Sequence, residues 1–116
     1  MLFTIPKTRV EDLKFGDIVL LKFPFVDGTT FKKRPALVIH ASEDKDLIVC
    51  RITSQLYNTA FDVPIENWED SGLKLPSIIR VHKIATLEMD LVELRMGNID
   101  ESLKLDVMKD FTSLPK

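Results

Sequence analysis

Four runs of β-branched and aliphatic residues, broken by short polar turns, constrain this fold most. They are "DIVLLKF" (Asp17 to Phe23), "ALVIHA" (Ala36 to Ala41), "LIVCRIT" (Leu47 to Thr53) and "SIIRVHKIATL" (Ser77 to Leu87). Such residues suit a pleated, half-buried surface, so each run predicts a strand. "KFG" before the first run and "SEDKD" between the second and third read as turns, the latter closing a hairpin. Asp27-Gly28 marks a further hairpin-type turn, "AFDVPI" a short strand, and "EMDLVELRMGNI" a helical turn followed by a strand. The tail changes period. Asp100 is a candidate N-cap with Glu101 in the first turn. Leu103, Val107, Phe111 and Leu114 then mark one apolar helix face, with Pro115 after its end. A succession of short strands closed by one helix predicts a mainly β fold, a small barrel with a C-terminal helix packed against it. The 116 residues show no repeat or linker and are expected to form one domain: an N-terminal arm at 1–14, a barrel at about 15–99 and a helix at about 100–114.

Bulk charge gives little direction. The net charge of -2 creates no general attraction for nucleic acid, so any such binding needs a local basic patch. The single cysteine, Cys50, excludes an internal disulfide and fits a reducing compartment, where it reads as a small core residue. No apolar run has the length of a signal peptide or of a membrane span of roughly 18 residues, and a cytoplasmic location is expected.

Three short clusters carry candidate chemistry. In "FKKRPALVIH" the cations Lys32, Lys33 and Arg34 precede a proline that holds Arg34 extended at a strand entrance. Read blandly, they are solvated loop charges guarding a sheet edge. In "RITSQ", Thr53 and Ser54 offer hydroxyls and N–H groups at a strand end, which ordinary turn chemistry also explains. In "SIIRVHKIA", Arg80 and His82 lie two apart and face one way on a strand. A guanidinium matches phosphate oxygens, and a neutral imidazole beside it suits a general base. The plainer account is a salt-bridged arginine and a hydrogen-bonded histidine. His40, Cys50 and His82 lack paired ligand spacing, so no metal site is expected. No Gly-rich phosphate loop, nucleophile elbow or dinucleotide fingerprint appears.

Taken in order, "GDIVLLKFPF", "KKRPALVI", "RITSQ", "GLKLPSIIRVHKIATL" and "RMGNI" resemble the PemK/MazF family of toxin endoribonucleases, from roughly Phe15 to Leu114. The resemblance implies an SH3-like β-barrel of the PemK/MazF/CcdB type with a C-terminal helix, usually a homodimer. It also implies cleavage of single-stranded RNA without metal or cofactor, and an antitoxin peptide that covers the RNA groove. By position, Arg34 matches the family's "RP" arginine, Thr53 and Ser54 its "T-S" strand end, and Arg80 the strand arginine used on the scissile phosphate. His82 stands where some members carry a catalytic aspartate, making it the candidate base. The loop from Val26 to Phe31 looks shorter than in many toxins. Lys32, Lys33, Arg51 and Gln55 are expected to hold RNA, with Phe25, Phe31 and Tyr57 as candidate stacking platforms. The alternative is a non-catalytic SH3-like binding module, or an attenuated MazF-like protein, that binds RNA or a protein partner.

Overall fold

In the computed structural model, which describes residues 12–24 and 29–114, six strands form one sheet. They are β1 (Asp17–Pro24), β2 (Phe31–Ala41), β3 (Asp46–Thr53), β4 (Asp62–Ile65), β5 (Ser77–Glu88) and β6 (Val92–Asn98). A 3-10 turn (Met89–Leu91) precedes β6, and one helix, α1 (Glu101–Thr112), follows it. The sheet order is β4-β5-β3-β2-β1-β6, with every neighbouring pair antiparallel. The mainly β architecture with a C-terminal helix is the one expected.

The word barrel describes this sheet only loosely, because the sheet is not closed. β4 and β6 are the two ends of the sheet, and among the described residues no ladder joins them. β4 has only four residues, one of them Pro64, which has no N–H to donate to a closing ladder. Register shifts interrupt the pairing of β1 with β6, β2 with β3, and β3 with β5. Such irregularities bend strands and increase their twist.

Both faces of the central strands are buried, which explains why their sequences run apolar instead of alternating. On β2, Leu37 enters one core with Ile18, Cys50, Ile52, Ile79, Val81 and Val107. Its neighbours Ala36 and Val38 enter the other, with Val19, Leu21, Leu47, Val49 and Val92. α1 covers the first core with fully buried Val107, and Leu103, Phe111 and Leu114 pack beside it. The Asp100 side chain caps the helix, accepting from the Leu103 N–H at 2.8 Å.

Two turns set later geometry. In the β2–β3 hairpin, Lys45 takes a left-handed φ of 69° and the Ser42 N–H donates to the Asp46 carbonyl at 2.9 Å. Between β4 and β5 the chain makes one helical turn that ends at Gly72, φ 90°. The Leu73 N–H donates to the Trp68 carbonyl and the Gly72 N–H to the Glu69 carbonyl, at 3.0 and 3.1 Å. That is the Schellman pairing, and its apolar closure is met by Trp68 and Leu73, both packed in the first core.

The Asp27-Gly28 turn, Phe25, Pro115 and residues 1–11 of the arm expected at 1–14 lie outside the described residues. Lys32, Lys33 and Arg34 are strand residues and not a loop: they pair with Phe23, Lys22 and Leu21 of β1. Strand alternation therefore splits the three cations between two faces.

Candidate active site cleft

Where β2 begins and β3 ends, a cleft of about 560 Å³ opens. Lys32, Arg34 and Pro35 line it from β2, Arg51 to Thr53 from β3, Ser54 and Gln55 from the loop beyond, and Leu73 to Leu75 with Ser77 from the segment entering β5. Met96 of β6 completes it. Pairing explains the assembly. β2 and β3 are in register from Val38↔Val49 to Ala36↔Arg51, and the same register carried two residues further sets Arg34 opposite Thr53. Pro35 contributes no N–H there, so the ladder ends and the strand mouth is left open.

Electrostatically the cleft has one sign. Among the described residues its lining includes Lys32, Arg34, Arg51 and Lys74, and no carboxylate. Arg34 is exposed, and its guanidinium donates to the Lys33 carbonyl at 3.0 Å. The Gln55 N–H donates to the Thr53 hydroxyl at 3.1 Å, shaping the strand end into a tight turn. A second hollow of about 440 Å³ lies on the other side of Arg34 and Arg51 and is lined also by Lys32 and Lys83. The two arginines thus form a cationic ridge between hollows, suited to a polyanionic chain and its phosphate groups.

Several expected residues stand elsewhere. Lys33 points to the opposite face from Lys32 and Arg34 and pairs with Glu93 at 2.9 Å. Phe31 is exposed, with the Lys22 ammonium 5.0 Å from its ring, and is not among the cleft residues. Arg80 is buried: its Nε donates to Asp62 Oδ1 at 2.8 Å, and its guanidinium lies 3.6 Å from the Tyr57 ring centroid. Neither Arg80 nor Tyr57 is among the residues lining the cleft, and the two side chains contact each other.

His82 also lies outside this cleft's lining. Its Nδ1 is buried without a hydrogen-bond partner among the described residues, and its ring is 5.9 Å from that of Phe61. The even alternation read in "SIIRVHKIA" breaks because Arg80 pairs with Arg51 while Ile84 pairs with the next residue, Cys50. Val81 to Lys83 fall in that shift, and the Val81 N–H donates instead to the Phe61 carbonyl at 2.9 Å.

Asp62 was overlooked by the sequence reading, although an acid in a short strand ahead of a strand arginine is the pattern of a cross-strand ion pair. Burial pushes its carboxyl up, but hydrogen bonds from the Thr59 hydroxyl, from Arg80 and from the Thr59 N–H, with the Arg80 charge, outweigh that and hold it below its usual value. The stability linked to Asp62 is therefore present above the ordinary carboxylate pKa of about 4 and is lost as pH falls through the lower folded value.

Cys50 is fully buried, and burial pushes its thiol up to about 12. Native protein at pH 8 is expected to resist iodoacetamide over a period in which denatured protein reacts completely, as mass spectrometry would read. Rapid native labelling would contradict the buried placement. Among the described residues no group of three or more His, Cys, Asp or Glu gathers as a metal site, and no helix is long and apolar enough to cross a membrane.

Comparisons with known proteins agree with this architecture. A family model described as "PemK-like, MazF-like toxin of type II toxin-antitoxin system" matches residues 14–114. Among solved structures, the Mycobacterium tuberculosis toxin MazF-mt6 is similar at 20% identity, with 82% of this chain and 91% of that one covered and a TM-score of 0.67. A MazE-MazF crystal structure from Deinococcus radiodurans gives 18% identity, coverage of 88% and 94%, and a TM-score of 0.74. A mycobacterial endoribonuclease in complex with its cognate antitoxin gives 14%, 90% and 98%, and 0.72. At these identities the structures show a shared fold. No curated protein matches the sequence.

Proposed function

Because the chain belongs to the PemK-like, MazF-like toxin family of type II toxin–antitoxin systems, we propose that it is a metal-independent endoribonuclease cutting single-stranded RNA in the cytoplasm. The observation that carries this reading is the cleft itself, which joins Arg34, Arg51, Thr53, Ser54 and Gln55 with no carboxylate among the described residues. In the proposed reaction the RNA 2′-oxygen attacks the adjacent phosphorus while the bond to the 5′-oxygen breaks. The products are a 2′,3′-cyclic phosphate and a 5′-hydroxyl. Arg34, with Arg51 beside it, stabilises charge on the non-bridging oxygens, and the Thr53 and Ser54 hydroxyls fix the phosphate. Lys32 and Gln55 hold the flanking chain. A homodimer and a cognate antitoxin peptide that occupies the cationic ridge complete the proposal, the latter suited to an acidic segment.

No imidazole lines the cleft, so the base is assigned by a pH–rate comparison of wild type with His82→Asn. If His82 is the base, the acidic limb of the wild-type profile disappears in the variant. A limb that persists removes His82 from the chemistry.

That the lining holds no carboxylate or imidazole among the described residues favours a second reading, a module that binds RNA or a protein partner without cutting. Incubation with varied single-stranded RNAs in chelator, followed by end mapping, separates the two. Cyclic-phosphate ends support the nuclease, and tight binding with intact RNA supports the module.

A further inference from the structure

The row of residues across three strands poses an electrostatic problem. The register sets Arg51 opposite Arg80, and Arg80 opposite Asp62. Two adjacent guanidinium groups repel, and the buried one is drawn off towards Asp62, whose side chain is 1% exposed against 10% for Arg80. Such a pair is weak evidence for stability, since desolvation offsets much of its attraction. What it does supply is direction.

Arg80 is fastened to the loop between β3 and β4 at two points. Its guanidinium lies against the Tyr57 ring at mid-loop, a contact that combines stacking with cation–π attraction. At the loop's end it holds Asp62, whose second oxygen accepts from the Thr59 N–H and hydroxyl at 2.9 and 2.6 Å. Ahead of Phe61, whose carbonyl accepts from the Val81 N–H, every loop residue from Ser54 to Ala60 is exposed except half-buried Tyr57. Yet this loop begins with Ser54 and Gln55, one wall of the cationic cleft, and the Tyr57 N–H donates to the Gln55 carbonyl at 3.1 Å.

We infer that Arg80, Asp62 and Tyr57 form a positioning unit, which holds the Thr53–Gln55 wall in place against Arg34 and governs turnover without touching the substrate. The inference rests on the proposed RNA-cleaving reading of the cleft. Small misplacements of a positioning wall are costly, on the order of 100-fold in rate for about 1 Å.

The test uses the full chain with Tyr57→Ala, Tyr57→Phe and Arg80→Lys. Residue-resolved amide exchange and steady-state RNA cleavage are measured on each. Tyr57→Ala should speed exchange at Gln55 and Tyr57 by about 10-fold or more while β1 and β2 stay protected. Its kcat should fall by about 10- to 100-fold with KM changed less than about 3-fold. Tyr57→Phe should restore both, because the ring face and not the hydroxyl makes the contact. Arg80→Lys, which keeps the charge but loses the planar stack, should resemble Tyr57→Ala. Unchanged loop exchange, faster exchange with normal kcat, or a phenylalanine variant that behaves like alanine would each overturn the inference. If the wild type cuts no RNA, the proposed function fails, and the exchange measurements alone then decide whether the unit holds the wall.

Discussion

Arg34→Ala is expected to lower the rate of RNA cleavage by about 100- to 1,000-fold while leaving the melting temperature within a degree or two of wild type, the loss that follows removal of one preorganised donor to a developing oxyanion. The two halves of that expectation have separate causes. Arg34 is exposed and, among the described residues, its hydrogen bond goes to its neighbour's carbonyl, so truncation leaves no buried partner there unpaired. Meanwhile it stands on the ridge between two cationic hollows, opposite the strand end that carries Thr53. Arg34→Lys keeps the charge but not the planar fork, and should fall between wild type and alanine. Single-turnover cleavage of one fixed RNA beside thermal unfolding of each variant checks both. Full activity in the alanine variant would move the site elsewhere.

Gly72→Ala is expected to produce the largest loss of stability, about 3–5 kcal/mol, because it combines backbone strain with a collision. Its φ of 90° already disfavours a side chain, and a Cβ placed there would sit 2.1 Å from the Met96 carbonyl oxygen. The contact is reciprocal: a Cβ on Gly97 would sit 2.2 Å from the Ser71 oxygen. Neither partner is a flexible side chain that could swing aside. For a domain of this size the loss corresponds to a fall of about 10–20 °C in melting temperature. Gly97→Ala should fall less, having no left-handed φ to strain. The functional consequence follows from position. This glycine contact docks the turn that leads into Leu73, Lys74 and Leu75 onto β6 beside Met96, and all four residues line the cleft. A melting temperature within 3 °C of wild type would contradict the close approach.

Local chemistry made much of the fold legible in advance. Asp100, Leu103, Val107, Phe111 and Leu114 specify a capped amphipathic helix by themselves, and α1 is that helix. The strand runs were equally plain, since β-branched residues between polar turns admit few other conformations. Pairing was less so. Lys33 and Lys32 are adjacent in sequence, and only a strand assignment sends one towards Glu93 and the other towards the cleft. Arg80 depends on more remote information. Its partner Asp62 lies on the sheet's end strand, and the three-residue shift after Arg80 decides which way the rest of β5 faces. Such register is set by long-range packing, which leaves no local mark in "SIIRVHKIA". The glycine contact is similarly hidden, because it joins backbone to backbone.

The central claim is that this cleft promotes attack by the RNA's own 2′-hydroxyl. The most direct measurement first locates the cut in a single-stranded RNA, then replaces only the 2′-hydroxyl at the nucleotide 5′ to it with hydrogen. The account predicts that the RNA is cut to a 2′,3′-cyclic phosphate and a 5′-hydroxyl, and that the substituted oligonucleotide binds but is not cleaved at that position. Cleavage of the substituted strand at the same bond would contradict it.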